Sequence, residues 1–172
     1  LKFSYLSTLL FQYNKQMKCF IYFGLSFLVF LSFDASSEFI QDLKVEKIID
    51  GDTVYASLEG KTYKLRLTEI DAPERDQPFG RQSKVFLREL LKDGEFDADI
   101  SGKDQYGRYL ARLYDNGVDI NRKMVNEGMA WVYDFYVTDQ TFYKNQQSAQ
   151  QEKKGIWSKR FPAPPWEWRR AR

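Results

Sequence analysis

From residue 44 to residue 67 apolar and polar side chains alternate with a period of two, which is the signature of half-buried strands. Residues 44–49 predict one strand, ended by Asp50-Gly51, and residues 53–58 predict a second. Glu59-Gly60 is a hairpin turn, and residues 61–67 alternate again with Tyr63, Leu65 and Leu67 on one face. Residues 68–79 carry Pro73 and Pro78 and predict a loop. The period then changes. Val85, Leu87, Leu90 and Leu91 fall at helical spacing within 80–91, and Asp93-Gly94 stops that helix. Residues 95–100 and 109–114 predict a fourth and a fifth strand, separated by the turn 104–107. A second helix is expected over 120–127, closed by Gly128, and a third, polar one over 140–154, ended by Gly155. Five short strands with a helix between the third and fourth match an OB-fold. The expected class is therefore α+β, mainly β, with a five-stranded barrel and three helices.

The two ends differ from this body. Met17-Lys18 precedes an apolar run from Cys19 to Phe33, followed by Asp34-Ala35-Ser36-Ser37. A basic start, about 15 apolar residues and a small-residue end describe a secretory signal peptide, with Met17 as the start and a cut before Glu38. A retained membrane anchor is the other reading, although the run is short of the ~20 residues a span needs. The resulting division is a leader over 1–37, a domain over 38–158 and a Pro/Trp/Arg-rich tail over 159–172. Residues 162–172 are too rich in proline to predict a helix, and their two tryptophans either pack back onto the body or belong to an unstructured end.

Composition narrows the chemistry mainly by exclusion. The 172 residues contain no histidine, which removes histidine-based triads and ordinary zinc sites. A single cysteine, Cys19, removes intrachain disulfides and thiolate clusters. Carboxylates, Lys, Arg, Tyr, hydroxyls and backbone remain, and these oxygen donors suit calcium or magnesium. The net charge of +2 is too small to mark a nucleic-acid binder, so any basic surface must be local.

Five charged residues make sense together around a phosphodiester. Asp52 lies in Asp50-Gly51-Asp52-Thr53, Arg66, Asp71 and Glu74 lie in the stretch 66–74, and Arg108 ends Asp104-Gln105-Tyr106-Gly107-Arg108. Carboxylates hold a hard cation and orient a water, and guanidinium forks match phosphate geometry. Each residue has a plainer reading by itself. Asp52 is a common turn residue beside glycine, Asp71 a loop residue before Pro73, Glu74 a solvated glutamate, and each arginine a salt-bridge partner. Arg66 is close enough in sequence to pair with Asp71 or Glu74, and a buried pairing would hold its guanidinium in place.

Residues 44–158 resemble the staphylococcal nuclease family. The likeness rests on Ile49-Asp50-Gly51-Asp52-Thr53, residues 66–74, residues 104–108 and Gly155-Ile156-Trp157-Ser158, all in order. It implies an OB-fold nuclease acting on DNA and RNA with calcium and leaving 3′-phosphate ends. It also implies roles. Asp52 and Asp71 would bind calcium together with the Ala72 carbonyl, Glu74 would serve as base on the attacking water, and Arg66 and Arg108 would stabilise the phosphate. Tyr106 and Tyr136 would bind the nucleotide. A second tyrosine, two residues before the position of Tyr136, is replaced here by Asp134, which Tyr133 or Trp131 could offset. The basic loop of some relatives is missing between Arg75 and Gly80, leaving Arg75, Arg81 and Lys84 as substitutes. A monomer with no stable protein partner is expected. Other readings are a catalytically silent domain that only binds nucleic acid or protein, and a membrane-anchored barrel that binds oligosaccharide or a partner protein.

Overall fold

A computed structural model describes residues 37–172, so the leader reading lies almost wholly outside the described residues. Five strands form the barrel: β1 (Glu38–Ile48), β2 (Thr53–Leu58), β3 (Lys61–Leu67), then, after the short β4 (Ile70–Asp71), β5 (Glu95–Lys103) and β6 (Tyr109–Asp115). Their order is β3-β2-β1-β5-β6, with antiparallel neighbours throughout. A parallel pairing of β3 with β6 (Leu65 with Tyr109, Arg66 with Leu110, Leu67 with Ala111) closes the ring. Closure leaves neither strand as an open edge. It also sets the start of β6 beside the last three residues of β3.

Alternation explains the interior. Tyr63, Leu65 and Leu67 of β3 point inward, as expected, and meet Val54 and Ala56 of β2, Ala98 and Ile100 of β5, and Ala111 and Leu113 of β6. Truncating the fully buried Leu65 to alanine would cost about 2–5 kcal/mol. Strand β1 runs six residues further back than its alternation suggests. It bends at Asp42, whose φ of 57° lies in the left-handed region, and its register with β5 shifts between Ile40 and Leu43. The bulge lets Ile40 and Leu43 both face the core although they are three apart.

Helix α1 (Gly80–Leu90) lies outside the barrel and buries Ser83 and Leu87, while Val85 of the same apolar set faces solvent. The two-residue β7 (Val118–Asp119) leads into α2 (Ile120–Asn126). Asp119 caps α2, its carboxylate accepting from the Arg122 amide at 2.9 Å. Ile120, Met124 and Val125 of α2 are fully buried in the core. Strand β8 (Trp131–Val132) pairs with β4, and α3 (Thr141–Gln151) buries Phe142 and Ala149.

A single 3-10 turn, Gly155–Ser158, follows α3. The tail departs from its expected non-helical form, because residues Pro165–Arg170 make a short helix, α4. Pro165 occupies the first helical turn, where a missing N–H costs no hydrogen bond and the fixed φ favours helix entry. The prolines that argue against a helix interior therefore start one.

Candidate active site

The Asp50-Gly51-Asp52 turn delivers Asp52 to the rim at the start of β2. Gly51 is required by close approach, since a Cβ there would collide with the Ser83 hydroxyl of α1 and the Ala72 side chain. Asp50 accepts from the Asp52 amide at 3.1 Å and so shapes the turn. The Asp52 carboxylate is itself buried. It accepts from the Ala72 amide at 2.7 Å and from the Thr53 hydroxyl at 3.1 Å. Ala72 therefore contributes a backbone contact, and the identity of its side chain is immaterial to that contact.

Arg66 draws the two halves together. Its guanidinium donates to Asp71 at 2.9 Å, stands 3.3 Å from Asp52, and also donates to the carbonyls of Leu67 at 2.6 Å and Ile70 at 2.9 Å. Of the partners open to it in the sequence, the structure selects Asp71 together with Asp52. Both terminal nitrogens of Arg66 are thus committed to acceptors. Asp71 is almost fully buried on β4, held there by the pairing of β4 with β8.

The remaining carboxylate, Glu74, is partly exposed on the loop after Pro73. Its amide donates to Gln77 Oε1 at 3.0 Å, and the loop is pulled so tightly against α1 that a Cβ at Gly80 would collide with the Glu74 carbonyl. The side chain of Glu74 accepts from Arg169 of α4 at 2.6 Å, and the same guanidinium donates to Asp71 at 2.8 Å. Sequence reasoning gave the tail no part here, and Arg169 has no local signal beyond a basic chain end.

Arg108 stands apart from this group. Its Nε donates to Asp104 at 2.7 Å, and its guanidinium lies 5.5 Å from the centre of the Tyr106 ring. Asp104 also accepts from the amides of Tyr106 and Arg108, which fixes the turn. Among the described residues no hydrogen bond or ion pair engages the terminal nitrogens of Arg108, so that fork is available to an incoming anion. Because Arg66 pairs with Leu110 across the closing seam, Arg108 lies two residues before that partner along the chain.

Tyr106 and Tyr136 are both largely exposed. Tyr136 stands 5.3 Å from Tyr133, which in turn is 5.5 Å from Trp166 of α4, and Trp166 is 5.9 Å from Trp131. Tyr133 and Trp131 thus do lie in an aromatic row with Tyr136, with Trp166 as an unforeseen fourth member. Asp134 points elsewhere and accepts from the Tyr143 hydroxyl at 2.7 Å.

The electrostatics of this rim are crowded. Burial, and then the neighbouring Asp52 carboxylate, push Asp50 up to about 6. Burial also raises Asp71, and Asp52 adds to the effect, against the opposing pull of Arg169 and Arg66. Carboxylates held in mutual repulsion and partly stripped of water are what a bound cation relieves. Among the described residues no group of three or more His, Cys, Asp or Glu side chains converges on one point. The donors the structure gathers are two carboxylates, both also paired with arginine, beside the Ala72 backbone, whose amide meets Asp52. Such a set fits a hard cation that keeps several waters, and does not fit zinc.

A family model described as staphylococcal nuclease homologue matches residues 64–159. A Haemophilus influenzae protein named "Uncharacterized endonuclease" is 40% identical over 144 residues, covering 83% of this chain and 81% of its own. A protein of the same name from Escherichia coli O157:H7 is 39% identical over 127 residues, covering 73% of this chain and 83% of its own. A "Micrococcal nuclease" of Shigella flexneri is 37% identical over 139 residues, covering 74% of this chain and 80% of its own.

Proposed function

The chain belongs to the staphylococcal nuclease family and is a nuclease, and from that premise we propose a secreted, calcium-dependent, monomeric enzyme that hydrolyses DNA and RNA to 3′-phosphate ends. The observation that carries the calcium reading is the pinning of Asp52 and Asp71 around one guanidinium at the barrel rim. Asp52, Asp71 and the Ala72 carbonyl would hold the ion. When bound, the cation supplies Lewis-acid polarisation of a phosphate oxygen.

The chain's own groups do the rest. Glu74 orients the attacking water and receives its proton. Its contribution is one of position, within hydrogen-bond reach of the water. Arg66 acts through charge, because both its terminal nitrogens already hold acceptors. Arg108 acts through geometry, offering its fork to two phosphate oxygens as negative charge accumulates on them. Attack breaks the bond to the 5′ oxygen and leaves the phosphate on the 3′ side. Tyr136, Tyr133 and Tyr106 offer ring faces to bases, a sequence-tolerant contact suited to both DNA and RNA.

The test is cleavage of single-stranded DNA with calcium, with magnesium and with chelator, beside an Arg108→Ala variant. Calcium-dependent cleavage that falls by about 10²–10³-fold in the variant is expected. A folded chain that binds DNA without cutting it under any of these conditions would contradict the reading. Sequencing the N-terminus of protein recovered from the medium tests secretion and the cut before Glu38.

A further inference from the structure

The tail is fastened to the active-site loop at several points. Gln77, nearly buried in that loop, donates its side-chain amide to the Ala163 carbonyl at 2.7 Å. Trp166 packs against Trp131 and Tyr133 on one side of α4. Arg172 pairs with Asp76. Arg169, three residues after Trp166 and so on the same side of the helix, reaches the catalytic carboxylates.

Two features separate Arg169 from an ordinary surface ion pair. It bridges two acidic groups with different tasks, donating to Asp71 at 2.8 Å through one terminal nitrogen and to Glu74 at 2.6 Å through the other. It is also the sole hydrogen-bond partner of the Glu74 side chain among the described residues. Arg66 holds Asp71 from the opposite oxygen. The other tail anchors do not touch the side chain of Glu74 or of Asp71 (Gln77 meets only the Glu74 backbone), so α4 keeps those anchors without the arginine. What depends on Arg169 specifically is the direction in which a flexible, part-exposed glutamate points.

We propose that Arg169 is a positioning residue of the nuclease reaction, fixing the Glu74 carboxylate relative to Asp71 from a helix outside the barrel. The inference rests on the roles given above to Glu74 and Asp71. Freed from Arg169, Glu74 would spend most of its time misdirected, and loss of geometry on the ångström scale costs up to roughly 10²-fold in rate.

The experiment compares the full-length chain with Arg169→Ala, Arg169→Lys, Glu74→Gln and the Glu74→Gln/Arg169→Ala double variant, using steady-state cleavage of single-stranded DNA and thermal melting. Arg169→Ala is expected to lower kcat by roughly 10–10²-fold with KM nearly unchanged and melting little altered. Arg169→Lys should recover part of that loss, and the double variant should be no slower than Glu74→Gln alone. Unchanged or increased kcat in Arg169→Ala would overturn the proposal, an increase meaning that the arginine obstructs the site. Losses that multiply in the double variant would also overturn it. If the parent chain cuts and Arg108→Ala does not, while Arg169→Ala keeps full rate, this inference falls alone. If the parent chain does not cut, the functional reading falls and takes this inference with it.

Discussion

Two clusters of arginines and carboxylates lie within this one fold, and they are built in opposite ways. In the first, behind β6 and α2, Arg112 and Arg122 meet Asp119, Asp139 and Glu69. Both guanidiniums lie over the Phe142 ring, at 5.0 and 4.7 Å. Most of its acid oxygens are supplied with donors: Glu69 Oε1 accepts from the Thr138 amide and hydroxyl and from the Asp139 amide, and Asp139 accepts from the amide and hydroxyl of Thr141, while the buried Glu69 Oε2 has, among the described residues, only Arg112 at 3.6 Å. Those Thr141 bonds, with Arg112 and Arg122 behind them, hold Asp139 below the usual carboxylate range. In the second cluster, at the rim, Asp52 stands beside both Asp50 and Asp71, and burial pushes Asp50 up to about 6 and raises Asp71. The first cluster ties the loop 133–139 to the barrel. At the rim, among the described residues, Asp50, Asp52, Asp71 and Glu74 share only Arg66 and Arg169, an excess of negative charge that a bound cation would offset.

Substituting one acid in each cluster should separate the two kinds. Asp52→Asn keeps shape and an acceptor for the Ala72 amide but removes a charge from the crowded rim. Turnover should fall by about 10³-fold, the scale of several kcal/mol of transition-state stabilisation, whereas stability should stay within about 1 kcal/mol of the parent. A large loss of stability would make the rim a structural cluster and break the contrast. Glu69→Ala should do the reverse. It strands the Thr138 and Asp139 donors and leaves Arg112 less compensated, for a loss of about 3–5 kcal/mol in denaturant unfolding. Cleavage well below the melting temperature should survive.

The smallest effect concerns pH. A carboxylate held below its unfolded value contributes stability that is complete above roughly pH 4 and is lost as pH falls towards the folded value. Asp139 is such a group, so the melting temperature should decline below about pH 4, and Asp139→Asn should flatten that decline. An unchanged acid profile in Asp139→Asn would show that other groups set it.

How far each cluster could be read from the sequence follows from how local its signals are. The barrel is legible because strand alternation is written in consecutive residues, as in Tyr63, Leu65 and Leu67. It fails at the start of β1, where the bulge at Asp42 puts Ile40 and Leu43 out of period. Strands β4 and β8 are two residues each, too short to carry any period, yet they set Asp71. The rim residues on 50–74 lie within one continuous stretch whose motifs have a family likeness. Arg169 meets Asp71 across 98 positions of sequence, from a helix whose leading prolines look like its denial. The Arg112 and Arg122 cluster was not anticipated either, since its members come from β6, α2, the loop before α3 and Glu69, each unremarkable in isolation.

The central claim is that the rim, with more carboxylates than guanidiniums, takes up a cation, and calcium titration of thermal melting tests it directly. The parent chain should melt higher as calcium rises, by the amount that binding to the folded state alone provides: about 2.7 kcal/mol at a free concentration of 100 Kd. Asp52→Asn should show little or no rise. A parent chain indifferent to calcium and magnesium, or an equal rise in Asp52→Asn, would contradict the account.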